Sequence, residues 1–125
     1  MADVFEVKAV ARHIPISPQK VRLVVDVVRG KSAQAALEML RFMPQKAAEP
    51  VFKLIQSAVA NAEQNYGLEE DELFVSRIFA DDGPRRRLSP YGGRFGARGR
   101  FKPIMRRSSH ITVVLAEREV TEFIV

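Results

Sequence analysis

Residues 4–11 alternate in polarity. Phe5, Val7, Ala9 and Ala11 fall on one side and Val4, Glu6, Lys8 and Val10 on the other, a two-residue period that predicts a strand with one apolar face. Pro15 and Pro18 end it. Ser17 suits a helix N-cap with Pro18 at the first helical position. Val21, Val24, Val25 and Val28 then recur at intervals of three and four, the period of a short amphipathic helix with Gly30 as its C-cap. Ser32 opens a second helix through about residue 42, with Ala33, Ala36, Leu37 and Leu40 as its apolar stripe and Pro44 closing it or opening its successor. The third and longest helical pattern places Ala48, Val51, Phe52, Ile55, Val59, Ala62 and Tyr66 on one face and ends at Gly67. Pro50, near its start, either costs a backbone bond or moves the first turn to that residue.

Strand character returns at 73–80, where Leu73 and Val75 face away from Phe74, Ser76, Ile78 and Ala80 in an imperfect alternation. It returns again at 111–116, which is rich in Val and Ile. The last residues mix Glu119 and Glu122 with apolar Phe123, Ile124 and Val125, suiting either an extra strand or a disordered tail. The two later strands pair most simply as a hairpin whose arms run on past the sheet. Roughly a dozen residues per arm, at about 3.3 Å each, reach on the order of 40 Å. The Gly-rich stretch Tyr91-Gly92-Gly93-Arg94-Phe95-Gly96 falls at the expected tip.

Charge singles out the same segment. The 125 residues carry 20 Lys and Arg against 15 Asp and Glu, a net charge of +5 and a pI of about 10.0, and the whole surplus lies between Pro84 and Arg107. Arg85, Arg86 and Arg87 open this window, Arg94, Arg98, Arg100 and Lys102 continue it, and Arg106 and Arg107 close it, with no acid among them. The window is therefore +9 and the remainder −4. An arm without a core of its own, carrying nine mutually repelling cations, calls for an external polyanion. Arg outnumbers Lys eight to one there. The planar guanidinium, which forks onto phosphate and stacks on bases, favours structured RNA, while DNA, a membrane surface or an acidic protein remain open on composition. Tyr91, Phe95 and Phe101 suit base stacking or mutual cover equally. A second cationic set is Arg12, Lys20, Arg22, Arg29 and Lys31; Lys20 and Arg22 are not on one helical face, which suits separate solvated side chains, while the helix start at Ser17 offers amides to a phosphate.

Other chemistry is excluded one class at a time. The length suits one compact domain. The absence of Cys removes disulfides, thiolate metal sites and a Cys nucleophile, and His13 and His110 lie far apart in sequence, so no metal site is expected. His110 beside Ser108 and Ser109 lacks a third partner, and the paired acids at 69–72 and 81–82 suit turns, so no catalytic residue is assigned. No phosphate-loop or dinucleotide fingerprint is present, and no cofactor is expected. No stretch approaches about 18 apolar residues and the start lacks the features of a secretory signal; the chain reads as soluble and intracellular, without a membrane partner.

Four blocks in order resemble a known family. They are Ile16-Ser17-Pro18-Gln19-Lys20-Val21-Arg22-Leu23-Val24 with Val28-Arg29-Gly30-Lys31, Ser57-Ala58-Val59-Ala60-Asn61-Ala62-Glu63-Gln64-Asn65, Asp82-Gly83-Pro84, and Arg107-Ser108-Ser109-His110-Ile111-Thr112-Val113-Val114. Together they resemble the bacterial large-subunit ribosomal proteins of the uL22 family, whose long hairpin lines the peptide exit tunnel, over about residues 5–117. The resemblance implies an α+β fold, a three-stranded antiparallel sheet packed against three helices with a long protruding β-hairpin. It implies a single domain over 1–125, with a body at about 1–76 and 111–125 and a basic hairpin at about 77–110.

The implied function is that of a structural constituent of the large ribosomal subunit, in the cytoplasm. Such a protein binds 23S rRNA, helps early 50S assembly and lines the exit tunnel, without catalysis or cofactor. Its implied partners are 23S rRNA and neighbouring large-subunit proteins, with no homo-oligomer. Carried over by position, Arg85, Arg86, Arg87, Arg106 and Arg107 on the arms contact rRNA, as do Lys20, Arg22, Arg29 and Lys31. Arg12, Arg94, Arg98, Arg100 and Lys102 join them on charge, and Tyr91, Arg94 and Phe95 are expected to form the tunnel-lining tip. The stretch 83–110 is longer and more Gly-rich than the usual form, and 118–125 exceeds the usual ending.

Overall fold

A computed structural model describes residues 6–87, 93–103 and 105–117. The order of elements is β1 (Glu6–Ile14), α1 (Pro18–Val28), α2 (Ala33–Phe42), α3 (Ala48–Tyr66), a single 3-10 turn (Glu70–Glu72) and β2 (Leu73–Asp82). The short strands β3 (Arg86–Arg87), β4 (Gly93–Phe95), β5 (Phe101–Pro103) and β6 (Met105–Arg106) follow, and β7 (Ser109–Glu117) closes the fold. β7 is the centre of an antiparallel sheet in the order β1-β7-β2, so the first and last described strands pair. The fold is α+β, as the resemblance implied.

The first two helices bury the stripes their periodicity predicts, Leu37 of α2 only in part. Val21, Val24, Val25 and Val28 of α1 are all buried, as are Ala33, Ala36 and Leu40 of α2. They meet Val7 of β1, Ile111, Val113 and Leu115 of β7, and Leu73, Val75, Ile78 and Ala80 of β2 in one cluster. The third helix departs from expectation. Leu54 and Ala58 join its buried face, Phe52 is half-buried, and Tyr66 is 52% exposed. A helix lying across both β1 and β7 needs a wider apolar stripe than one resting on a single neighbour. Pro50 falls in the first turn of α3, where its missing N–H has no intrahelical partner to lose.

The ends are set locally. The Ser32 hydroxyl accepts from the Ala35 N–H at 3.2 Å, a full N-cap, whereas Ser17 holds the N-cap position of α1 without a side-chain bond. Arg29 is the C-cap of α1 and Gly30 follows at φ +80°, the left-handed conformation that terminates helices. Gly30 is thus one position beyond the cap that its sequence context suggests. The turn it makes clamps the α1–α2 linker onto β2. The Gly30 N–H donates to Val75 O at 3.0 Å and the Val75 N–H donates to Lys31 O at 2.9 Å.

The imperfect alternation of 73–80 has a definite cause. The register of β2 on β7 slips between Val75 and Arg77. This bulge returns Ile78 and Ala80 to the inner face already occupied by Leu73 and Val75. On the outer face Arg77 of β2 reaches Glu6 of β1 at 3.2 Å, spanning the central strand. The ladder of β2 and β7 continues without interruption to Asp82 opposite Ser109, five residues beyond the expected start of the arm at 77.

Candidate nucleic-acid interface

Past Asp82 and Ser109 the two strands run on beyond the β2–β7 ladder. The Gly83 N–H donates to Ser108 O at 2.9 Å, and the Ser108 hydroxyl donates to Pro84 O at 2.7 Å. A Cβ at position 83 would overlap Ser108, so the close crossing at the root requires glycine. Pairing resumes at Arg86 opposite Arg106 and Arg87 opposite Met105, then at Gly93, Arg94 and Phe95 opposite Pro103, Lys102 and Phe101.

The reversal lies at 96–100 and not in the Gly-rich 91–96 stretch. The Gly96 N–H donates to Arg100 O at 2.5 Å around a 3-10 turn at Ala97–Gly99, with Arg98 and Gly99 at φ +62° and +73°. Two successive left-handed residues turn the chain, and glycine supplies one of them without strain. Arg98 is therefore at the apex. Arg94 and Phe95 precede the turn as ladder residues, and Tyr91 lies outside the described residues.

The register pairs cations with cations. Arg86 opposes Arg106, and Arg94 opposes Lys102; like charges directly opposite weaken a ladder. Arg85, Arg98, Arg100, Lys102, Arg106 and Arg107 are exposed, and none of them pairs with a carboxylate among the described residues. Of the acids close to the hairpin cations in sequence, Asp81 and Asp82 are exposed, whereas those at 69–72 lie at the opposite end of β2, where Leu73 pairs with Glu117. Asp71 accepts from Gln34 at 2.5 Å. The Glu72 carboxyl is raised above the usual range by its hydrogen bond with Glu117, with burial and the neighbouring charges adding to it.

The second cationic set divides. Arg12, Lys20 and Lys31 are exposed. Arg22 donates to Ala80 O at 3.1 Å and Arg29 to Ile78 O at 3.0 Å, so both guanidinium groups tie α1 to the outer edge of β2. Arg29 also bridges Asp26 at 2.8 Å. Edge carbonyls need such donors, which gives these two arginines a role within the fold.

Two further features were hidden in the sequence. His13 and His110, 97 residues apart, meet edge-on at 5.0 Å, and the His13 backbone N–H donates to His110 Nδ1 at 3.1 Å. His13, at φ +59°, lies where the register of β1 on β7 shifts between Ala11 and Ile14, so the pair fastens a bulge. No group of three metal-ligating side chains exists among the described residues. The other feature is a cleft between the start of α1, the α2–α3 linker and the returning arm, which brings Lys46 beside Lys20, Arg106 and Arg107. Its only sequence trace is Leu23, an apolar residue on the polar side of α1 that is 68% exposed.

Residues 9–116 match the family model described as ribosomal protein L22p/L17e. A large ribosomal subunit protein uL22 of Desulfitobacterium hafniense (strain Y51) is 50% identical over 115 residues, covering 91% of this chain and 96% of that protein. Another, from Thermomicrobium roseum, is 50% identical over 113 residues, covering 90% and 92%. A match across nearly the whole body and hairpin, at half identity, settles the relationship: the chain belongs to the ribosomal protein L22p/L17e family.

Proposed function

We propose that the hairpin segment and the adjoining end of α1 bind 23S rRNA during early assembly of the 50S subunit, and that the hairpin then lines the polypeptide exit tunnel. Membership of the family makes the chain a structural constituent of the large ribosomal subunit, in the cytoplasm. The observation that carries the finer reading is the pairing of Arg86 with Arg106 and of Arg94 with Lys102. Like charges opposed in a ladder destabilise it, and a bound polyanion relieves that repulsion. Division of labour follows the geometry. The body ends at Asp82 and Ser109, and the cations at 85–87 and 106–107 serve the RNA-bound arms. The turn at 97–99, with Arg98 at its apex, takes the tip role in place of Tyr91, Arg94 and Phe95. Lys20, Lys31 and Arg12 add contacts from the body, while Arg22 and Arg29 offer only the donors left over from β2. Neighbouring subunit proteins are further partners.

The test is the salt dependence of binding to a 23S rRNA fragment by the full chain. Changing Arg85, Arg106 and Arg107 together to Gln flattens the log–log slope by about two to three units, since each phosphate contact contributes roughly 0.7–0.9. An unchanged slope leaves these side chains in solvent and refutes the reading.

A further inference from the structure

The cleft beside α1 has a volume of about 700 Å³, within the range of sites that enclose a small ligand. Its lining is of two kinds. Pro15, Ile16, Leu23 and Met105 supply apolar lining, Lys20, Lys46, Arg106 and Arg107 supply cationic lining, and no carboxylate is among the described lining residues. The four cations come from three separate parts of the chain, so the fold alone assembles them. Leu23 is 68% exposed and Met105 42%. A plain phosphate site has no use for two large apolar side chains, and an apolar protein contact is poorly served by four like charges in its lining.

A flat apolar body flanked by negative charge satisfies both. We infer that the cleft seats one unpaired nucleotide of the rRNA, its base against Leu23 and Met105 and its flanking phosphates on Lys20, Lys46, Arg106 and Arg107. Methionine packs well on aromatic rings, and unstacked bases of single-stranded RNA are held by such surfaces. RNA is favoured over an acidic peptide because Arg106 and Arg107 continue the cation series of the hairpin. The inference rests on the rRNA-binding reading above and adds Lys46, Leu23 and Met105 to it.

The full chain bound to a 23S rRNA fragment is cross-linked by short-wavelength ultraviolet light and the joined peptides are identified by mass spectrometry. A single nucleotide joined to a peptide carrying Leu23 or Met105 is expected. Leu23→Glu places a carboxylate in the cleft from an exposed position, weakening binding roughly ten-fold and leaving that base reactive to chemical probing while the arm footprint persists. Lys46→Gln, also at an exposed position, flattens the salt slope by about one unit; circular dichroism verifies that both variants fold. Wild-type affinity and footprint in both variants overturn the cleft assignment and leave the rRNA reading intact. A cross-link from Leu23 or Met105 to another protein in intact subunits overturns it in favour of an acidic segment. Failure of the wild-type chain to retain rRNA removes both readings together.

Discussion

Replacing Arg22 and Arg29 together with Gln removes the groups that hold α1 against the edge of β2. The bonds lost are 3.1 Å to Ala80 O and 3.0 Å to Ile78 O. A hydrogen bond with a charged partner contributes about 1.5–3 kcal/mol when desolvated. The Arg29 side chain is 47% exposed, so water takes over part of the interaction and about 1 kcal/mol each is the reasonable figure. The exposed Asp26 bridge adds a few tenths at most. The double variant therefore loses about 2 kcal/mol, the two sites being close enough to couple. With a urea m-value of about 1.5 kcal/mol/M, the unfolding midpoint falls by roughly 1.3 M at unchanged m. Far-ultraviolet dichroism of the full chain in urea measures it. A shift under about 0.3 M refutes the anchoring role, because water then satisfies the edge carbonyls equally well. The same variant tests the division of the cations. Its salt slope on rRNA flattens by less than about one unit, whereas a loss of about two assigns both groups to phosphate.

Ser109 is fully buried and its hydroxyl has no hydrogen-bond partner among the described residues, so Ser109→Ala raises stability by about 1 kcal/mol in urea unfolding; a loss of stability shows that the hydroxyl is satisfied. The raised Glu72 carboxyl, held by its bond with Glu117, means that the folded state binds the proton more tightly, so its contribution is present at acid pH and lost as pH rises through the folded value. Glu72→Gln therefore matches wild type in urea at about pH 4 and exceeds it at about pH 7, and a gain equal at both refutes the cause. In competitive incorporation read by mass spectrometry, Arg86→Ala with Arg106→Ala lowers occupancy in purified large subunits, while Arg98→Ala at the turn leaves it near wild type and alters chemical probing of nearby tunnel RNA. Stronger exclusion of the turn variant makes the tip an anchor.

The sequence by itself determined the helices, the three long strands and the buried stripes of the first two helices. The valine stripe of α1, the Ser32 cap and the Gly67 stop each act within a few residues, so periodicity and capping chemistry are sufficient to read them. The basic hairpin was legible too, because nine cations without an acid form a local signal. Tertiary structure decided the rest. The slip between Val75 and Arg77 depends on which strand lies beside β2, and an alternation broken by one residue reads only as imperfection until β7 supplies the partner. The hairpin turn moved to 96–100 because the ladder pairs Phe95 with Phe101, a register that glycine content alone does not fix. Arg22 and Arg29 became edge anchors only once α1 lay along β2. The His13–His110 contact and the cleft join residues from distant parts of the chain. Local sequence encodes which side of an element is buried; which elements meet, and which polar groups are left facing one another, is set by the packing of the whole.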